Sequence, residues 1–162
     1  MKALRLLIQT GDSFAPLIAR LMLGIVIFPH GAQKMLGWFG GYGFSGTMNW
    51  FATSLHIPAP LALLAILAEF AGSIGLIVGL LSRLAAFGIA TNMVVAILTV
   101  HLSNGFFMNW YGTQKGEGFE YHLLAIGLAL IVITHGAGKW SLDQFLTGRF
   151  AAKSNSQQRA SN

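Results

Sequence analysis

The chain has no cysteine. Thiolate catalysis, disulfide exchange, iron–sulfur ligation and covalent c-type haem attachment by this chain alone are therefore excluded. Charge is almost as scarce. Only 9 % of the 162 residues are charged, against 54 % hydrophobic, whereas a soluble domain carries about a quarter charged residues. Such a composition cannot cover a water-facing surface, so lipid is the expected solvent. The sequence also lacks an internal repeat, a nucleotide-binding glycine motif and any Arg/Lys stripe with interleaved aromatics. The net charge is +5, but the basic residues sit at the ends of apolar runs. That placement marks membrane orientation and not a nucleic-acid footprint.

What is present is a series of apolar runs. They extend over about Phe14–Met35, Pro60–Leu81, Leu84–Leu102 and Glu120–Thr134 with its flanks. A spanning helix needs about 20 residues, so the expected spans are 14–35, 60–81, 84–102 and 118–135. The first run exceeds a signal-peptide core of about 7–15 residues and is followed by Pro29, His30 and Lys34 instead of a small-residue exit, so it is expected to be retained. The fold class expected is all-α: an integral membrane four-helix bundle forming a single domain over 1–150, with a disordered cytoplasmic tail over 151–162. Lys2 and Arg5, Arg83, and Lys139, Arg149, Lys153 and Arg159 fall on one side of such a bundle. By the positive-inside rule both termini are expected in the cytoplasm.

Both loops on the opposite side are aromatic. The first, Gly37–Ala59, carries Met48, Trp50, Phe51 and Leu55 and suggests a short interfacial helix. The second, Ser103–Phe119, carries Phe106, Phe107, Trp110 and Tyr111. Either could simply be an aromatic belt. After the fourth run, Ser141 with Gln144 resembles an N-cap and its N3 partner, which predicts a short amphipathic helix over Ser141–Phe150. Gly24 and Gly31, Ala68 and Gly72, Gly75 and Gly79, and Ala85, Gly88 and Ala96 are small residues suited to close helix approach. Pro29 is expected to kink the first helix and free the Ile25 carbonyl.

Ionisable residues within a span are costly, at about 2.5–3.5 kcal/mol each on insertion scales. Arg20 and Glu69 lie at depths that differ by less than roughly 10 Å by residue count, so an Arg20–Glu69 pair is expected, with Asn92 as a third member of a polar intramembrane centre. The pair could lock helix register or serve a proton, ion or polar head group. A second cluster is expected toward the loop side: His30, Lys34, His101, Glu120 and His122. Histidines there could relay protons. Metal ligation is not expected, because no His-x-x-x-His or Glu-x-x-His pair occurs; a bis-histidine haem across His30 and His101 has no second signal behind it.

The pattern of these residues resembles the DoxX family. Arg20 with Gly24, then His30-Gly31 and Lys34, is similar to its first-helix signature. Glu69 with Gly72 and Gly79-Leu80, followed by Arg83, resembles the second. Asn104-Gly105-Phe106-Phe107 followed by Glu120, and Gly136-x-Gly138 followed by Ser141-Leu142-Asp143, complete a likeness running from about Phe14 to Phe145. The resemblance implies a four-helix protein of the bacterial inner membrane. Members of that family include a membrane subunit of a thiosulfate:quinone oxidoreductase and a component of a membrane-associated oxidoreductase complex with soluble partners. It implies no catalytic residue.

Three functions follow as expectations. The first is an accessory or quinone-contacting subunit of an oxidoreductase system, with soluble or membrane redox partners and not active alone. The second is a small-solute or ion transporter or channel. The third is a non-catalytic membrane scaffold. No cofactor is fixed by the sequence, quinone being the one suggested, and self-association stays open.

Overall fold

The computed structural model describes residues 6–149. Lys2, Arg5, Lys153, Arg159 and the tail expected over 151–162 lie outside them. Among the described residues there is helix and no strand. We number the helices α1 (Phe14–Leu36), α2 (Gly43–Ser54), α3 (Ala59–Val78), α4 (Ser82–Ala96), α5 (Glu120–His135) and α6 (142–149). Three of them are long and apolar enough to cross a membrane: α1, α3, and α4 with its continuation to Asn104; α5 is equally apolar but shorter.

Local chemistry sets most boundaries. Ser13 caps α1 by accepting a hydrogen bond from the Ala15 N–H at 3.3 Å, and Gly37 ends it in the left-handed conformation at φ 74°. The helix is continuous through Pro29. The run expected to continue to 81 stops at Val78, because Gly79 turns left-handed and the Leu80 N–H closes onto the Gly75 carbonyl at 2.8 Å, the Schellman pattern. α4 passes into a π-turn over Ile97–His101 and a 3-10 turn over Leu102–Asn104. Such a turn rotates the residues beyond it relative to the helix below, and it carries His101.

α1 packs on α3, α3 on α4, α4 on α5, and α5 back on α1, closing a ring. The core between them is small and apolar: Ala19, Leu23, Ile27, Leu76, Ala86, Ile89, Ala125, Ala129 and Val132. Outside, large apolar side chains stand exposed, including Ile18, Leu64, Phe87, Leu98 and Leu124, while Arg20, Glu69, Ser73, His122 and Asp143 are buried. The usual polarity of a soluble protein is inverted.

Glycine permits the closest approach. A Cβ on Gly31 would stand 2.6 Å from the Phe70 backbone and 2.7 Å from the Glu69 carbonyl carbon, and one on Gly24 would stand 3.0 Å from the Ser73 carbonyl oxygen. The α1–α3 seam is therefore a backbone contact that no larger residue allows. Gly127 on α5 meets nothing within 4 Å. Gly31→Ala is expected to lower the midpoint of thermal aggregation in detergent, by an overpacking cost of about 1–3 kcal/mol. Gly127→Ala is expected to leave it unchanged or raise it.

Candidate functional site

Glu69 stands halfway along α3, 5 % exposed. Its Oε2 pairs with Lys34 Nζ, and its Oε1 accepts a hydrogen bond of 2.7 Å from Asn92 Nδ2, which also reaches the Ala65 carbonyl at 3.3 Å. Three helices thus converge on one carboxylate: α1 through Lys34, α3 through Glu69 and α4 through Asn92. Gly31 makes this possible. By letting α1 press onto the backbone at Glu69 and Phe70, it brings Lys34, one turn later, to the carboxylate. The Lys34 side chain keeps 27 % of its surface exposed.

A row of rings adjoins this centre. His30, one turn before Lys34, has its ring centroid 6.3 Å from that of Tyr121. Tyr121 lies 5.5 Å from His122, and His122 lies 4.1 Å from His101. His101 Nδ1 is 2.8 Å from the Glu117 carbonyl; a carbonyl only accepts, so this nitrogen carries the proton and Nε2 is left free of it when the ring is neutral. Tyr121 Oη and His122 Nδ1 are buried without a hydrogen-bond partner. Glu120, half-buried, instead accepts from the Met108 N–H at 3.4 Å, a contact to the loop over Ser103–Phe119. Of the residues expected at the loop side, Lys34 reaches Glu69, His30, His122 and His101 join the row of rings around Tyr121, and Glu120 joins neither. Among the described residues no group of three or more His, Asp and Glu is arranged to hold a metal ion.

Arg20 is the main correction. It does not pair with Glu69. All five of its N–H bonds are taken by carbonyls at the opposite end: Nε by Ala137 at 2.9 Å, one terminal nitrogen by Leu76 and Ile77 at 2.8 and 2.7 Å, the other by Lys139 and Trp140 at 3.3 and 2.8 Å. The last carbonyls of α3 lack the N–H partners of a continuing helix, Leu76 keeping only the Gly79 N–H at 3.3 Å, and a planar multi-donor group reaches them together. Leu76 is seven residues from Glu69, about 10 Å along the helix. Residue counting put the two side chains within reach, but the helix ends decided otherwise.

Asp143, unremarked by sequence reasoning except within a motif, completes this second cluster. Its carboxylate accepts from the Leu81 and Ser82 N–H groups at 2.8 and 2.9 Å, capping α4 from a distant segment and holding Leu81 in the left-handed region at φ 49°. Arg83 in turn binds the Gln9, Ile133 and Thr134 carbonyls. α6 begins as its sequence suggests, with Ser141 Oγ accepting from the Gln144 N–H at 3.1 Å.

The DoxX family's sequence model matches residues 15–102, more than half of the chain. The chain belongs to the DoxX family. The matched part of this DoxX protein holds Arg20, His30, Lys34, Glu69, Asn92 and His101, and stops before Tyr121 and His122. It is similar to a Haemophilus influenzae protein named "Uncharacterized protein", 29 % identical over 89 % of this chain and 91 % of the relative. It is likewise 29 % identical to a Bacillus subtilis protein named "Putative oxidoreductase CatD", over 86 % of this chain and 90 % of the relative. No solved structure matches it at a significant level.

Arg20→Lys keeps the charge but offers three donors to five carbonyls. With buried acceptors left unpaired at about 1–3 kcal/mol each, the variant is expected to lose most of its folded yield on size-exclusion chromatography in mild detergent. Asp143→Asn, which can still offer one acceptor oxygen, is expected to show a smaller loss.

Proposed function

We propose that this DoxX protein crosses the bacterial inner membrane four times, with both termini in the cytoplasm, and serves as the membrane-embedded component of an oxidoreductase system that holds a quinone head group at the Glu69 centre. The ring of contacts among α1, α3, α4 and α5 and the exposed leucines around it support four spans. α5 is about 24 Å long, short of a hydrocarbon core of about 30 Å; the turn that follows it, anchored by Arg20 and Thr10, extends it. Arg83, Lys139 and Arg149 share the end opposite the long loops, which supports the orientation. α2 and α6 are then interfacial helices.

The observation that carries the functional reading is the buried carboxylate. Glu69 lies where three apolar helices meet, with one cationic and one amide partner, and near tyrosine and histidine side chains. Intramembrane ionisable groups of this kind mark ligand or proton pathways. Quinone reduction takes up two electrons and two protons. Glu69 and the adjacent histidines can exchange protons, and the electrons are assigned to a partner dehydrogenase; this chain has neither cysteines for an iron–sulfur centre nor a nucleotide-binding glycine motif. The name of the Bacillus relative points the same way.

In lipid nanodiscs the wild-type protein is expected to bind decylubiquinone saturably, read by quenching of its tryptophan fluorescence, and Glu69→Gln is expected to weaken that binding roughly tenfold or more. Saturable binding that survives Glu69→Gln unchanged would move the site elsewhere. No binding by the wild type would leave the polar centre as a packing device.

A further inference from the structure

Two polar atoms beside the Glu69 centre have no function in the fold. Tyr121 Oη and His122 Nδ1 are buried with no partner, and His122 is 6 % exposed. Native proteins rarely leave such atoms unpaired, and each calls for an occupant. Both residues stand in the first turn of α5, facing the row formed by His30 and His101. Three neighbouring groups are engaged elsewhere: Lys34 and Asn92 by Glu69, and His101 Nδ1 by the Glu117 carbonyl.

The chemistry of the missing partner can be narrowed. A tyrosine hydroxyl can donate, and a neutral imidazole nitrogen donates or accepts according to its tautomer. A hydroxyl group both donates and accepts, so it suits either atom in either state. A bare carbonyl suits only a donor. The surroundings are flat and aromatic, which favours a ring as the bearer of that hydroxyl. Access is from the side: His30 is exposed at the edge where α1 meets α5, and large apolar side chains such as Ile25, Val26 and Leu124 stand exposed on those two helices.

We propose that Tyr121 and His122 form the α5 wall of the ligand site and bind a phenolic hydroxyl of the reduced, hydroquinone form, which enters from the bilayer past His30. This rests on the quinone reading of the Glu69 centre and adds to it the redox form preferred, the binding residues and the route of entry. Neither residue is given a part in electron transfer; both position the ring.

The test compares decylubiquinol with decylubiquinone, titrated into nanodiscs holding wild type, Tyr121→Phe or His122→Leu. Tyr121→Phe and His122→Leu are each expected to weaken decylubiquinol binding roughly three- to tenfold, and His122→Leu to weaken decylubiquinone less. In wild-type protein with isotope-labelled histidine, the His122 ring-nitrogen resonances are expected to shift on adding decylubiquinol, a readout that stands even if His122→Leu fails to fold. Wild-type affinity for decylubiquinol in both variants, or unmoved His122 resonances at saturation, overturns the proposal while the quinone reading survives. Failure of the wild type to bind either form overturns both.

Discussion

The pairing of Lys34 with Glu69 is the contact on which the rest of the loop-side half depends. A carboxylate halfway along an apolar helix has no water to turn to, so its partners must come from neighbouring helices. α1 delivers one of them only because Gly31 lets its backbone lie directly on α3. α4 delivers the other through Asn92. The result draws three helices to one point, while His30, one turn before Lys34, stands beside Tyr121 of α5. Removing the pair would remove the reason for that convergence.

The opposite end solves a different problem. There the polar groups needing partners are main-chain groups at helix ends, and side chains from distant segments supply them. Arg20 takes five carbonyls, Arg83 takes the last carbonyls of α5, and Asp143 caps the first N–H groups of α4. These contacts give partners to all three charges, and they bind the segment from Gly136 to Gln144 onto the ends of the helices. The molecule thus has two polar clusters of unlike character. One is built on main-chain groups at helix ends; the other joins side chains of four helices and has an exposed edge at His30.

Much of this was legible in the sequence. The scarcity of charge and the lengths of the runs located α1, α3, α4 and α5 to within a few residues, and Ser141 with Gln144 located the start of α6. Glu69 and Asn92 stood out because polar residues in apolar runs need a reason. What could not be read was the partner of Glu69. Depth estimated by counting from helix ends put Arg20 within reach, and the outcome was decided by the carbonyls of Leu76 and Ile77 at the end of α3, which take Arg20 instead. Gly79 sets that stop through a left-handed turn, which shortened the expected second run. Tyr121 carried no signal at all: a tyrosine near the end of an apolar run is an ordinary belt residue until the helices bring it against His30. Asp143 was hidden because its partners, Leu81 and Ser82, are main-chain groups about sixty residues away.

The central claim is a specific coupling across α1 and α3, and a double-mutant cycle measures it directly. Unfolding free energies in detergent would be compared for wild type, Lys34→Met, Glu69→Met and the double variant, with a parallel cycle on Arg20 and Glu69. The account predicts a coupling of about 1–3 kcal/mol between Lys34 and Glu69 and none beyond error between Arg20 and Glu69. Coupling confined to the Arg20 cycle, with Lys34 and Glu69 additive, would contradict it.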